Sequence, residues 1–315
     1  MSVLVVGSVA LDSVETPFGK ADEVLGGSAT MFASSACHFG PVQLVGVVGS
    51  DYPLHKLEPL KQKGVDLSGL EQAEGESFRW RARYRHDLNS AETLETRLGV
   101  FSRFRPQIPA SFRSAPYVFL ANIDPRLQLD VLQQVERPQL VACDTMNFWI
   151  ESRRSDLLEL LGQVDLITLN DAEARQLTEE SNLVRAARWI MARGPRHVVI
   201  KKGEHGAFLF SGSSIFFAPA YPLEDIFDPT GAGDSFAGGF VGWLAATGDL
   251  SEANLRRAVV YGSAMGSFAV ERFSNERTIA LTLPEIDARV RDFRQLVAFE
   301  VELDGVAAGS AGHAA

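Results

Sequence analysis

Short β-branched apolar runs alternate along this chain with stretches of helical period. Val3–Val6, Gln43–Val48, Tyr117–Leu120, Leu140–Cys143, Leu166–Thr168 and His197–Ile200 read as buried strands. Between them Ser28–Phe39, Leu54–Lys63, Leu127–Val135, Ser155–Leu161, Ala172–Leu177 and Leu183–Arg193 read as helices. This alternation predicts an α/β fold, a central and mostly parallel sheet with helices on both faces. After Ile200 the order changes. Ala207–Phe210 and Ser214–Ala218 predict a hairpin around Ser211-Gly212-Ser213, and two helices follow, Asp234–Ala246 and Ser251–Ala269.

Residues 72–105 depart from the alternation. Phe78–Arg85 has period two, with Arg79, Arg81, Arg83 and Arg85 on one face and Phe78, Trp80, Ala82 and Tyr84 on the other. Thr93–Phe101 reads as a second strand, and Asp87, Asn89 and Ser90 supply the turn between them. With Val14–Phe18 they predict a small separate sheet, built from segments at about 13–25 and 72–105. Such a sheet is not stable alone. It is expected to cover the main body or a second copy of itself. From about Asp304 the chain is rich in Ala and Gly and is expected to be a disordered tail, which leaves 1–303 as one domain.

Composition narrows the classes. Of 315 residues 46% are hydrophobic and 22% charged, enough for a sizeable core. A net charge of -10 argues against a nucleic-acid partner, which needs a basic footprint. Cys37 and Cys143 have no metal-type or redox-type spacing and read as reduced, buried thiols. No run approaches the roughly 18 apolar residues of a membrane span. The N-terminus opens on a strand, without the basic region and cleavage site of a signal peptide. A cytoplasmic protein is the expectation.

The densest chemistry lies in Asp228-Pro229-Thr230-Gly231-Ala232-Gly233-Asp234-Ser235-Phe236. An apolar helical stripe, Phe236, Phe240, Val241 and Leu244, begins straight after, so the glycines lie at a helix N-terminus. Unpaired N–H groups and the helix dipole gather anions there. Read by itself the run is either an anion nest or a tight turn with an acidic N-cap. In the first reading Asp234 is a base that takes a proton from an attacking hydroxyl. No Lys-Ser or Lys-Thr follows, so this is not a Walker A loop. Val6-Gly7-Ser8-Val9-Ala10 likewise lacks the further glycines of a dinucleotide fingerprint.

The Asp-Pro-Thr-Gly-Ala-Gly-Asp-Ser-Phe run resembles the C-terminal signature of the ribokinase-like (PfkB) carbohydrate kinase family, and the likeness extends from Val3 to about Val270. The resemblance implies an ATP-dependent kinase acting on a hydroxyl of a small sugar or nucleoside. It makes Asp234 the catalytic base and the amides of Gly231, Ala232 and Gly233 the anion hole. Asn170-Asp171-Ala172-Glu173 has the spacing of a capping box. It also resembles the family's N-x-x-E motif, in which Asn170 and Glu173 organise Mg²⁺ and its waters beside the ATP phosphates, Glu173 through water. Lys201-Lys202-Gly203-Glu204-His205-Gly206 resembles the segment that lines the nucleotide, with Lys201, Gly203 and Gly206 as contacts. Its lysines meet phosphates or form a solvated turn. Ser263 falls where relatives contact adenine. His205 lacks metal-ligand partners by spacing.

Asp12 reads as the end of the first strand, and with Gly26-Gly27 it resembles the substrate-binding acid and di-glycine of the family. Many relatives carry Asn where this chain has Met31, so a polar contact to substrate is missing; Asn122 and Asn147 are the substitutes at hand. The small sheet resembles the family's lid. Its aromatic face is expected to cover the substrate, and its arginine face to be solvated, to make a homodimer contact, or to meet an anionic substrate. A monovalent cation is also compatible with the resemblance. Two other functions stay open: a sugar-phosphate kinase, and a nucleotide-binding regulator without catalysis.

Overall fold

The computed structural model describes residues 1–86, 88 and 91–298. Strands β1 (Val3–Val6), β2 (Ala10–Thr16), β3 (Gly19–Gly26), β4 (Val42–Gly49), β5 (Val65–Ala73), β6 (Phe78–Tyr84) and β7 (Ala91–Arg97) form in the first third. β8 (Tyr117–Leu120), β9 (Leu140–Asp144), β10 (Leu166–Asn170), β11 (His197–Lys201), β12 (Ala207–Ser211) and β13 (Ser214–Ala218) follow. The main sheet has the order β13-β12-β11-β10-β9-β8-β1-β4-β5. It is parallel from β11 to β5, and the β12–β13 hairpin extends it antiparallel.

Helices α1 (Ser28–Ala36), α2 (Glu58–Gln62), α3 (Pro125–Leu132), α4 (Asn147–Ser152), α5 (Arg154–Leu161), α6 (Asp171–Thr178) and α7 (Leu183–Met191) intervene between strands. α8 (Ala232–Thr247), α9 (Glu252–Ala269), α10 (Glu276–Ala280) and α11 (Leu283–Leu296) end the described chain. Alternate strand residues divide between the two sheet faces. Val5, Leu44, Phe119 and Val199 pack with Phe32 of α1 and with Phe236 and Phe240 of α8. Val6, Val45, Leu120 and Ile200 pack with Leu157 of α5 and Ile190 of α7. Both faces of the sheet are thus dry, which is why its strands read as near-continuous apolar runs. Among the described residues no helix is long and apolar enough to cross a membrane.

The small sheet is present with the order β3-β2-β6-β7. Its strands differ from the sequence reading. The β2–β3 hairpin begins at Ala10, so Asp12 lies inside the small sheet and does not end β1. β7 stops at Arg97, because Gly99 turns at φ +51 and Val100 N–H bonds back to Glu76 O at 2.8 Å. Residues 65–73 join the main sheet as its edge strand, paired with β4. The stretch expected as one helix over Leu54–Lys63 is a 3₁₀ turn at Leu54–Leu57 followed by α2, with Pro59 in its first turn where a proline is tolerated. Cys143 is buried but Cys37 only partly so, and both are free. The turn residues Asp87, Asn89 and Ser90 and the tail from Asp304 lie outside the described residues.

Candidate active site

The strand order reverses between β1 and β8, since β1 continues to β4 while β8 leads the other way. Open α/β sheets bind ligands at the carboxyl ends of strands beside such a switch point. The predicted site residues collect there: Asn122 after β8, Asn170 ending β10 and Lys201 ending β11, with the N-terminus of α8 opposite.

Gly231 is the N-cap of α8 at φ +73. A Cβ there would be strained, and it would lie 2.7 Å from Met31 Cγ. Met31 therefore packs beneath Gly231, buried at 2% exposure. Asp228 shapes the turn, its two oxygens accepting from Thr230 N–H at 2.9 Å and Ser274 N–H at 3.1 Å. Among the described residues no side chain caps α8. Ala232 N–H closes on Pro229 O at 3.2 Å, whereas the N–H groups of Gly231, Gly233 and Asp234 have no protein acceptor among the described residues. The free donors of the nest are thus Gly231, Gly233 and Asp234, where the sequence reading had Ala232 as the third.

Asp234 stands in the first turn of α8. Burial, then the charge of Asp144, raises its carboxyl to about 8, against the pull of Lys201, with Asp12 and Glu173 adding to the rise. A carboxyl raised into this range exchanges its proton near neutrality. Asp12, 6% exposed, lies against the di-glycine: a Cβ on Gly26 would meet its Cγ at 2.1 Å. Gly27, at φ +96, is the N-cap of α1. Burial and the neighbouring Asp228 raise Asp12 to about 7, against the pull of the Gly27 amide.

Asn170 and Glu173 close a full capping box. Glu173 N–H donates to Asn170 Oδ1 at 2.8 Å, and Asn170 N–H donates to Glu173 Oε2 at 2.7 Å. Among the described residues this leaves one Glu173 oxygen without a hydrogen bond, on a carboxylate raised to about 7 by burial and by Asp144. A hard-oxygen set this sparse suits Mg²⁺ held through water. Among the described residues no cluster of three His, Cys, Asp or Glu could hold a metal by itself.

The lysines part company. Lys201 ends β11 and its Nζ donates to Asp144 Oδ2 at 2.9 Å. Lys202 begins a turn in which its N–H donates to Gly206 O and Gly206 N–H to Gly203 O. His205 is exposed, 3.8 Å from Glu204. Asn122 Oδ1 is buried without a partner among the described residues, as a ligand-facing group would be. Asn147 instead donates to Gln176 on α6 at 2.7 Å. Ser263 is half-buried on α9 and makes no side-chain hydrogen bond among the described residues.

The aromatic face of the small sheet meets the site. Thr230 Oγ1 donates to the half-buried Tyr84 hydroxyl at 3.3 Å, and Thr16 Oγ1 donates to Phe227 O at 2.8 Å, so the lid is tied to the loop before the nest. Phe78 stacks on Phe101 at 5.3 Å. On the other face Arg79 pairs with Glu23 and Asp51, Arg83 with Glu15, and Arg85 with Glu92. Sequence reasoning placed Tyr84 on the covering face of the lid but missed Asp144 beside Lys201. The signal for Asp144 was present: a polar residue closing a buried parallel strand, as Asn170 does.

A mostly parallel α/β sheet with free helix N-terminal amides and buried acids at its switch point, beside a small antiparallel sheet, has the architecture of the ribokinase-like kinases. The chain is a member of the pfkB family of carbohydrate kinases, whose model matches residues 3–279. It is 31% identical over 247 residues to the cytidine kinase of Thermococcus kodakarensis, covering 76% of this chain and 87% of that protein. Its fold superposes with TM-score 0.74 and 19% identity on an aminoimidazole riboside kinase from Salmonella enterica in complex with aminoimidazole riboside and an ATP analogue, over 92% of this chain and all of that one. A candidate ribokinase II from Escherichia coli, in complex with ATP and Mg²⁺, superposes with TM-score 0.76 and 19% identity over 92% of this chain and 99% of that one. The enzyme is a carbohydrate or nucleoside kinase of a family that uses ATP with Mg²⁺.

Proposed function

We propose that this kinase phosphorylates the primary hydroxyl of a ribonucleoside. The observation that carries this reading is the β2–β6 register, in which Asp12 stands directly opposite Trp80. An acid that accepts from two vicinal hydroxyls, beside a large aromatic ring, suits a ribose diol with a base attached. Similarity to a cytidine kinase supports it. A neutral substrate is favoured because most of the lid arginines are already paired with carboxylates.

The acceptor hydroxyl lies against Asp234, which takes its proton as the oxygen attacks the terminal phosphorus. The bond from that phosphorus to the bridging oxygen breaks and ADP leaves, while the free amides of the nest hold the charge on the phosphoryl oxygens. Glu173 would hold Mg²⁺ through water, and the ion supplies charge neutralisation of the phosphates. The lid excludes water, which would otherwise compete for the phosphoryl group.

The test is ATP turnover against cytidine, uridine, adenosine, ribose, fructose and ribose 5-phosphate, with and without K⁺. The expected result is a kcat/KM for at least one nucleoside at least about tenfold above any free sugar, the scale of one well-made contact. Excess chelator should abolish turnover. A free sugar as best substrate overturns the nucleoside reading, and ribose 5-phosphate as best substrate selects the sugar-phosphate kinase.

The lid gives a second check. Trp80→Ala is expected to raise KM for the acceptor and loosen the choice of base. Arg81→Ala combined with Arg83→Ala should change KM by less than about twofold, as exposed ion pairs contribute little. A large KM increase with sedimentation unchanged would assign the arginines to an anionic substrate. Loss of a dimer would assign them to a subunit contact.

A further inference from the structure

Two oppositely charged side chains stand where parallel strands end. Asp144 is the last residue of β9 and Lys201 the last of β11, with β10 between them. Lys201 reaches across, and its Nζ donates to Asp144 Oδ2 at 2.9 Å. The side chains are 17% and 6% exposed. The second Asp144 oxygen accepts from Thr145 N–H at 2.8 Å, so the carboxylate is anchored from its own loop. A buried ion pair of this kind rarely repays its desolvation in stability. Its location suggests another purpose.

The ammonium borders the nest. A Cβ on Gly233 would lie 3.0 Å from Lys201 Nζ, so the cation sits against the second residue of α8, whose N–H is one of the free donors. Burial opposes the charge of Lys201, yet Asp144, Glu173 and Asp234 together hold it ionised. A phosphoryl group approaching the nest would face these carboxylates, and a fixed cation at Gly233 offsets their repulsion. Lysine carries its charge on a flexible stem. Without a partner that stem would spread the ammonium over many positions, and part of the electrostatic benefit would be lost.

We propose that Asp144 is a positioning residue, which holds the Lys201 ammonium at the Gly233 edge of the nest so that it contacts the donor's phosphoryl group. The proposal rests on the kinase reading above and deepens it. It adds a side-chain cation to the backbone donors, and it gives Asp144 a role through Lys201 only.

The experiment compares Lys201→Met, Asp144→Asn and the double variant in turnover, in calorimetric binding of ATP and of adenosine, and in thermal melting. Lys201→Met should lower kcat by about 10²-fold, as for loss of one oxyanion donor. It should weaken ATP binding and leave adenosine binding unchanged. Asp144→Asn should lower kcat about tenfold alone but less than about twofold in the Lys201→Met background, because the two act as a unit. An equal loss from Asp144→Asn in both backgrounds overturns the positioning role. Wild-type kcat and ATP affinity in Lys201→Met overturns the phosphate contact. Should Asp144→Asn melt early, Asp144→Glu keeps a buried ion pair while moving the ammonium by a methylene. A lower kcat at an unchanged melting temperature then supports the proposal, and an unchanged kcat sinks it. If wild-type enzyme turns over no nucleoside, only the acceptor reading fails. ATP against adenosine binding in the same variants still decides the proposal: ATP affinity falling in Asp144→Asn, with no further fall in the double variant, supports it, and intact affinity overturns it.

Discussion

Asp234→Asn is expected to lower kcat by about 10²-fold or more, the range for loss of a general base, while the unliganded protein melts higher than wild type at alkaline pH. The two effects share one cause. The carboxyl is raised from 3.8 to about 8, chiefly by burial and then by Asp144. In the unfolded chain it ionises at its ordinary value, so across the interval between the two the folded protein binds the extra proton. Stability from this group is therefore fully present below the unfolded value and is lost as pH rises through about 8. Asp12 and Glu173, each raised to about 7, act with the same sign. Asparagine removes the Asp234 contribution. The melting difference between variant and wild type should be widest above pH 8 and vanish toward acid. Activity runs the other way. The base must be unprotonated, so kcat/KM of the wild type should climb about tenfold per pH unit on its acidic limb, and that limb should be missing from the residual activity of the variant. Wild-type-like turnover would remove Asp234 from the chemistry. A variant that melts lower at alkaline pH would show that its carboxylate is not held under electrostatic strain.

Much of this arrangement was legible in the chain because local chemistry and tertiary position agree. The glycine run before α8 carries an apolar stripe immediately after it, and that stripe alone places the nest at a helix N-terminus. Asn170 and Glu173 make a capping box whatever else they do. Other features depend on contacts distant in sequence. Asp12 reads as the end of β1, because nothing local reveals that β2 pairs in parallel with a strand near residue 80. Asp144 follows an apolar strand like many structural acids, and only Lys201, 57 residues later, gives it a meaning. The two lysines at 201 and 202 are alike in sequence. Strand register sends one inward and leaves the other at the turn. The loss of Ala232 as a free donor is finer still, since it follows from one turn bond to Pro229 O. Met31 looked like a missing polar contact, and its place beneath Gly231 shows it as packing for the nest.

The second large effect is expected at Asp12, and it tests the choice of acceptor directly. Asp12 is clamped by shape: its carboxylate lies where a Gly26 side chain would be, with the Gly27 amide drawing its pKa down. A carboxylate has about four acceptor sites, so it can accept from two neighbouring hydroxyls. Hydrogen bonds to a charged group contribute about 1.5–3 kcal/mol each. Loss of both should cost kcat/KM on the order of 10²-fold or more. Asp12→Asn keeps the volume and replaces one acceptor oxygen by a donor, so the clamp survives while the diol loses a partner. Wild-type enzyme should therefore prefer a ribonucleoside over its 2′-deoxy counterpart by about tenfold or more, one such bond being absent from the latter. In Asp12→Asn that preference should fall to within about threefold, since the bond that made it is gone from both. The measurement is kcat/KM for the two nucleosides on the two proteins, four values in one cycle. A preference that survives intact in Asp12→Asn would place the diol elsewhere in the pocket, and the unpartnered Asn122 Oδ1 would become the first position to examine.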